Sequence, residues 1–448
     1  MTRTSWWAEH AWLPTGVATD VRLEAQDGRL TVVRPHSRPR EGDVHLPGVV
    51  LPGLANAHSH AFHRALRGRT HGGGGNFWTW RELMYAVTRR LDPDSYYALA
   101  RAVYGEMALA GMTVVGEFHY LHHDQAGQRY ADPNAMGAAL AAAARDAGLR
   151  LTLLDTCYLA GGLTGDGHLP LDDVQVRFTD GDVDTWAARV ARLEADVTDA
   201  TTRVGGAVHS VRAVPRDELA AMGEVTRGRV VHAHVSEQPA ENLAAQMFYA
   251  RTPTELLADA GLVTDRFTAV HATHLSDDDV ALLGEAGATA CFCPTTERDL
   301  ADGIGPARAL ADAGARLSLG SDQHAVVDPF EELRGLEMHE RLESNERGRF
   351  TPDELLAAAT VEGYRSLGWD DGGVLEVGRL ADFVAVRTDT VGTVGSKPGQ
   401  IAYSATRADV DTVVVGGRTI VERGEHTSLG DVAELLGAAL ASVREHQG

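Results

Sequence analysis

Eight short apolar runs, each closed by polar residues, divide the stretch from about residue 50 to residue 330. Their cores are VVLPGLANAHS, MTVVGEFHY, LRLTLLDTCY, VGGAVHSV, VVHAHVS, TAVHATH, ATACFCPT and ARLSLGSD. They end near His58, Tyr120, Tyr158, His209, His234, His274, Thr295 and Asp322. Short apolar runs bounded by polar residues read as strands buried on both faces. Helix-like segments such as ADPNAMGAALAAAARDAG and TWAARVARLEADV separate most of them. Eight such units predict an α/β fold, a (β/α)8 TIM barrel with its working groups at the strand C-termini. Polar residues with chemical potential fall at those ends, where strand burial alone would not put them.

The flanks read differently. Residues 1–50 hold short β segments (ATDVRLEAQDG, RLTVVRP, DVHLPGVV), and residues 373–425 return to β character. These two segments are expected to pair into a small β-sandwich beside a barrel spanning 51–372, with a helix in 426–448. TPDELLAAATVEGYRSLG reads as a helix that starts at Thr351-Pro352. The run Gly72–Gly75 reads as a loop rather than a phosphate cradle, because no GK[ST] ending follows it.

The metal argument starts at His58-Ser-His60. Side chains alternate along a strand, so both imidazoles of H-x-H point the same way and can serve one metal. His234 and Asp322 end two other strands and would add a third nitrogen and a carboxylate, leaving a position open for water. Zinc is the default divalent ion for such a site, although iron, nickel or manganese accept similar ligands. Glu237, three residues after His234, is placed to move a proton to or from that water rather than to bind the metal. His271 is expected as a further ligand or a hydrogen-bond donor to substrate, and His274 as a structural neighbour.

Composition removes several alternatives. The charge of −22, from 41 basic and 63 acidic residues without a basic run, argues against nucleic acid and anionic membrane as partners. No apolar stretch approaches the ~20 residues needed to span a bilayer. The N-terminal MTRTSWWAEHAWLP lacks the apolar core of a secretion signal. Three cysteines, Cys157, Cys291 and Cys293, cannot build a disulfide framework, and a cytoplasmic setting fits.

Taken together, the constellation resembles the amidohydrolase superfamily, in its mononuclear deaminase branch, over nearly the whole chain, including GRLADFVAV near the end. A binuclear branch would carry a bridging lysine at the fourth strand end, and VGGAVHSVRAV has none, so one metal is expected. NAHSHAFHRALRG, FWTWRELMY, GEFHYLHHD, HSVRAVP, HVSEQ, VHATH, CPTTERDLADG and GSDQH are similar to the formimidoylglutamate deiminase family of histidine degradation.

That resemblance implies hydrolysis of N-formimino-L-glutamate to N-formyl-L-glutamate and ammonia by a homodimer. In this scheme metal-activated water attacks the formimino carbon. Glu237 shuttles the proton, His271 hydrogen-bonds the reacting end, and Asp322 ligates the metal and orients the water. A dicarboxylate in so acidic a chain needs local cations, for which Arg81 and Arg212 are placed; Tyr120 and His209 would add donors. His63 stands where the family often carries a substrate-touching glutamine. Trp78 and Trp80 would line the pocket or pack in the core. The rival readings are an aminohydrolase for a neutral heterocycle such as guanine, indifferent to the two arginines, and a barrel that binds without catalysis.

Overall fold

The computed structural model of the chain describes residues 3–71 and 77–444. The glycine run of the sequence argument lies outside the described residues, as does the side chain of Trp78. Eight parallel strands form one sheet in chain order: Leu54–Ser59, Met112–His119, Arg150–Cys157, Thr202–Val208, Val231–Val235, Phe267–His271, Thr289–Phe292 and Arg316–Leu319. Every residue of the first three is buried, as expected for strands covered on both faces. The eighth strand returns to the first through a parallel bridge between Ser59 and Asp322. The amides of Ser321 and Asp322 donate to the His58 carbonyl at 3.1 and 3.0 Å, and the His60 amide donates to the Asp322 carbonyl at 3.1 Å. The result is the (β/α)8 barrel predicted from the eight runs.

Three strands stop about three residues earlier than the apolar pattern suggested, the eighth at Leu319 rather than Asp322. The sixth ends at His271, not His274, because His271 and Ala272 turn into the left-handed region with φ of 66° and 49°. The seventh ends at Phe292, because Pro294 opens a helix over Pro294–Leu300. The helix expected at Thr351 begins there: Thr351 and Glu354 cap it reciprocally at Pro352–Ala359.

A second sheet draws on both chain ends. Its order is Glu425–His426, Arg418–Glu422, Val410–Val415, Phe383–Val386, Val44–Pro52, Arg3–Leu13, Gly16–Gln26 and Arg29–Arg34. The seam is the antiparallel pairing of Phe383–Val386 with Val49–Pro52. Trp6 meets Phe383 edge-on at 5.0 Å across it. Arg150, opening the third barrel strand, donates from Nε and Nη2 to Asp382 at 2.6 and 3.0 Å, joining the barrel to the second sheet. A C-terminal helix, Val432–Val443, buries Leu436, Ala439, Leu440 and Val443. All three cysteines are buried and free, and among the described residues no helix is long and apolar enough to cross a membrane.

Candidate active site

Four donors from three barrel strands converge at the C-terminal mouth. His58 lies inside the first strand, His60 one residue past its end, His234 in the fifth strand and Asp322 three residues past the eighth. His234 Nε2 stands 3.2 Å from His58 Nε2 and 3.4 Å from His60 Nε2. Asp322 Oδ1 stands 3.2 Å from His58 Nε2 and 3.4 Å from His60 Nε2. Bonds of about 2.0–2.1 Å from one tetrahedral cation put neighbouring donors about 3.3–3.4 Å apart. The cluster therefore has the spacing of a metal's ligand shell.

Protonation agrees with that spacing. His60 Nδ1 faces the Phe118 carbonyl at 3.0 Å, and His234 Nδ1 faces the His209 carbonyl at 2.8 Å. A carbonyl can only accept, so each Nδ1 carries the proton and each Nε2 offers a lone pair to the cluster. Burial holds His58 down to about 3 and lowers His60 and His234 too, so all three imidazoles are neutral at pH 7, the form a metal requires. Burial works against the Asp322 charge, but His58, His60 and His271 outweigh it and hold its carboxyl well below the usual range. Three neutral nitrogens and one anionic oxygen suit a divalent cation.

His271 sits one step outward, stacked on the His234 ring at 5.7 Å between centroids. Its Nδ1 is 3.4 Å from Glu297 Oε1 and its Nε2 is 4.0 Å from Glu237 Oε1. Burial opposes its charging, but the Glu237, Glu297 and Asp322 carboxylates prevail and push the imidazole up to about 10. His271 also groups with His58, His234 and Asp322, their donor atoms lying within 4.8 Å of one another, so it stands in reach of both the cluster and the cavity. Ser236, His271, Ala272, Asp322 and His324 all have positive φ. Such conformations cost about 1–3 kcal/mol each and gather where side chains must be aimed.

Glu237 follows the fifth strand, and its Oε2 accepts from Arg212 Nη2 at 3.2 Å. It does not cap the next helix: the N-cap of Pro239–Tyr249 is Gln238. Glu237 and Arg212 open on a cavity of about 510 Å³, also lined by His60, His63, Arg81, Tyr120, His209, His234, His271 and Asp322. Trp80 lines it too, as do Gly162–Thr164 of a small hairpin. His58 lies beneath the floor, fully buried. His63 Nε2 pairs with the Tyr120 hydroxyl at 3.0 Å. His274 bonds the Asp302 carbonyl at 2.7 Å and takes no part in the lining.

Both arginines are present at the cavity, but neither stands alone. Arg81 donates from Nε to the Tyr85 hydroxyl at 2.8 Å and pairs with Asp172 at 3.4 Å. Arg212 faces Glu241 as well, at 3.9 Å. Sequence reasoning missed four acids here: Glu117, Glu241, Glu297 and Asp172. Glu241 is four residues after Glu237 on the following helix, a one-turn spacing that could have flagged it. Burial pushes Glu241 up to about 7 despite Arg212. Glu297 accepts the Cys293 amide at 2.7 Å and steadies His271 from behind. A further grouping of His119, His122 and Asp155 is closed to metal, since Asp155 is already held by Arg189 at 2.7 Å through both oxygens and by Trp186 at 2.9 Å.

Comparison with known proteins gives a consistent setting for this site. The profile of the amidohydrolase family matches residues 49–420. The formimidoylglutamate deiminase of Pseudomonas aeruginosa is 37% identical over 94% of this chain and 95% of its own length. The 8-oxoguanine deaminase of the same organism is 29% identical over 87% of this chain and 85% of its own. A crystal structure of an amidohydrolase from Brucella melitensis superposes with a TM-score of 0.90 at 33% identity, covering 98% of this chain and 99% of that one.

Proposed function

We propose, from the premise that this chain belongs to the amidohydrolase family, that it hydrolyses N-formimino-L-glutamate to N-formyl-L-glutamate and ammonia. It is a hydrolase acting on a C–N bond. The observation that carries the substrate reading is the placement of Arg81 and Arg212 on the same cavity as the four-donor cluster. A neutral heterocycle gives a deaminase no use for two guanidinium groups, whereas this substrate brings two carboxylates. Arg212 donates Nη2 to Glu237 and its buried Nε faces Glu241 at 3.9 Å, so two carboxylates of the chain hold the guanidinium at the cavity wall. Zinc is the cation in this reading, and a divalent ion held by His58, His60, His234 and Asp322 supplies the acidity that makes a water nucleophilic at neutral pH.

The residues then share the proton traffic. Glu237 Oε1, on the His271 side, takes one proton from the attacking water and passes it to the imino nitrogen. His271 donates from Nε2 to the reacting end as the carbon becomes tetrahedral. Asp322 accepts the second proton and gives it to the departing nitrogen, which leaves as ammonia. Tyr120, His209 and His63 line the space between the cluster and Arg81 and orient the substrate chain. A cytoplasmic setting, a place in histidine degradation and a homodimer belong to the same reading, as what the family resemblance in the sequence implies.

The test is ammonia release by the zinc-loaded protein from N-formimino-L-glutamate, with guanine and 8-oxoguanine in parallel. Release from the formimino substrate alone is expected. Release from either purine alone, or from none, would sink the substrate assignment while leaving the metal cluster untouched.

A further inference from the structure

Glu117 is a carboxylate that no step above uses. It lies in the second barrel strand and is fully buried. We propose that Glu117 is the positioning residue of the metal cluster, fixing the His58-Ser59-His60 segment against the Asp322 turn through Ser59, Ala61 and His324. The inference rests on the metal part of the reading above and not on the identity of the substrate.

Glu117 Oε2 accepts the Ser59 hydroxyl at 2.8 Å, and Oε1 accepts the Ala61 amide at 2.7 Å. Those two residues flank His60. The neighbouring Phe118 carbonyl takes the His60 Nδ1 proton, so positions 117 and 118 make three bonds to residues 59–61. Ser59 spends its proton on Glu117, and its oxygen then accepts from His324 Nε2 at 3.1 Å. His324 stands two residues beyond Asp322 on the left-handed turn after the eighth strand. One carboxylate and one hydroxyl thus connect the segment that presents His58 and His60 to the turn that presents Asp322.

His58 makes this connection matter most. His60 and His234 are each held from behind by a carbonyl on Nδ1. His58 Nδ1 is buried without a partner. The His58 ring is therefore held by packing, with Phe118 edge-on at 5.1 Å, and by its backbone, tied at its carbonyl to the Ser321 and Asp322 amides and at the next residue to Glu117. A carboxyl this deeply buried is costly for the fold, and burial pushes it up to about 8. An apolar residue would fill the space at less cost, but could not accept the Ser59 and Ala61 protons.

The experiment measures metal binding, not turnover. Glu117→Gln keeps the shape but offers an NH2 group toward the Ser59 hydroxyl; Ser59→Ala removes that hydroxyl. Titration of the zinc-loaded proteins with a chelator should show zinc held about 10–100-fold more weakly in each variant. The visible spectrum of the cobalt-substituted proteins should shift, while the thermal midpoint of the metal-free proteins stays at the parent value. The double variant should be no weaker than Glu117→Gln alone, because both changes cut one network. If Glu117→Gln does not fold, Ser59→Ala decides. Parent-like zinc affinity and cobalt spectrum would overturn the proposal. So would a loss of affinity matched by an equal loss of metal-free stability, which would mark Glu117 as a core residue only.

Discussion

Each imidazole of the cluster has two nitrogens, and the site depends on which one carries the proton. H-x-H announces two histidines on one side of a strand. It says nothing of the Phe118 and His209 carbonyls that fix the protons on Nδ1 of His60 and His234. The sequence therefore named His58, His60, His234, Glu237, His271 and Asp322 from their places at strand ends, and the structure brings all six together. Buried acids were harder to see. Glu241 and Glu297 sit on helices among other polar residues, where a glutamate ordinarily faces water. Glu117 looks like an interruption of an apolar strand. Glu237 carries the sharpest prediction at this scale. Glu237→Gln keeps the shape and the acceptor for Arg212 but cannot take a proton. Its kcat should fall by about 10²–10⁴, with bound zinc unchanged by elemental analysis. Full turnover in that variant would remove Glu237 from the proton path.

Strand ends do the aiming, and they leave regular geometry to do so. The turn from His271 to Ala272 and the turn from Asp322 to His324 swing side chains over the barrel mouth that a continuing strand would have sent elsewhere. Period-two alternation cannot foresee such a turn, which is why VHATH looked like a strand running to His274. The contact between the first and last strands is equally exacting. Gly320 follows the eighth strand, and a Cβ there would lie 2.7 Å from His58 Cβ, 2.8 Å from the His58 carbonyl and 2.9 Å from Cys293 Sγ. Gly320→Ala must push the closing strands apart at the metal ligand itself. It should lower stability by about 1–3 kcal/mol and reduce zinc content together. Thermal unfolding and metal analysis of one preparation would check both, and parent values in both would show that the closure has slack.

Across the whole molecule the barrel is joined to a sheet built from both flanks. The sequence suggested that pairing because residues 1–50 and 373–425 both carry β character on either side of the barrel. It could not give the register, which depends on side chains such as Trp6 and Phe383 meeting across the seam. Asp382 is the fastener between the two parts. Besides Arg150 it accepts from the Tyr364 hydroxyl at 2.8 Å and the Gly416 amide at 2.7 Å. Asp382→Ala strands a buried guanidinium and should cost about 3–5 kcal/mol, read from the midpoint of denaturant unfolding. A shift below 1 kcal/mol would mean that Arg150 finds water or another partner. The seam also bears on how the protein is made. Val44–Pro52 leaves the ribosome early, yet its partner strand begins at Phe383. At about 5–20 residues per second, the roughly 330 residues between Pro52 and Phe383 take about 15–65 s to synthesise. For that interval the nascent chain carries an apolar strand with one open edge. That edge, unpaired until Phe383–Val386 arrives, is where a partly made chain is most exposed to wrong pairing.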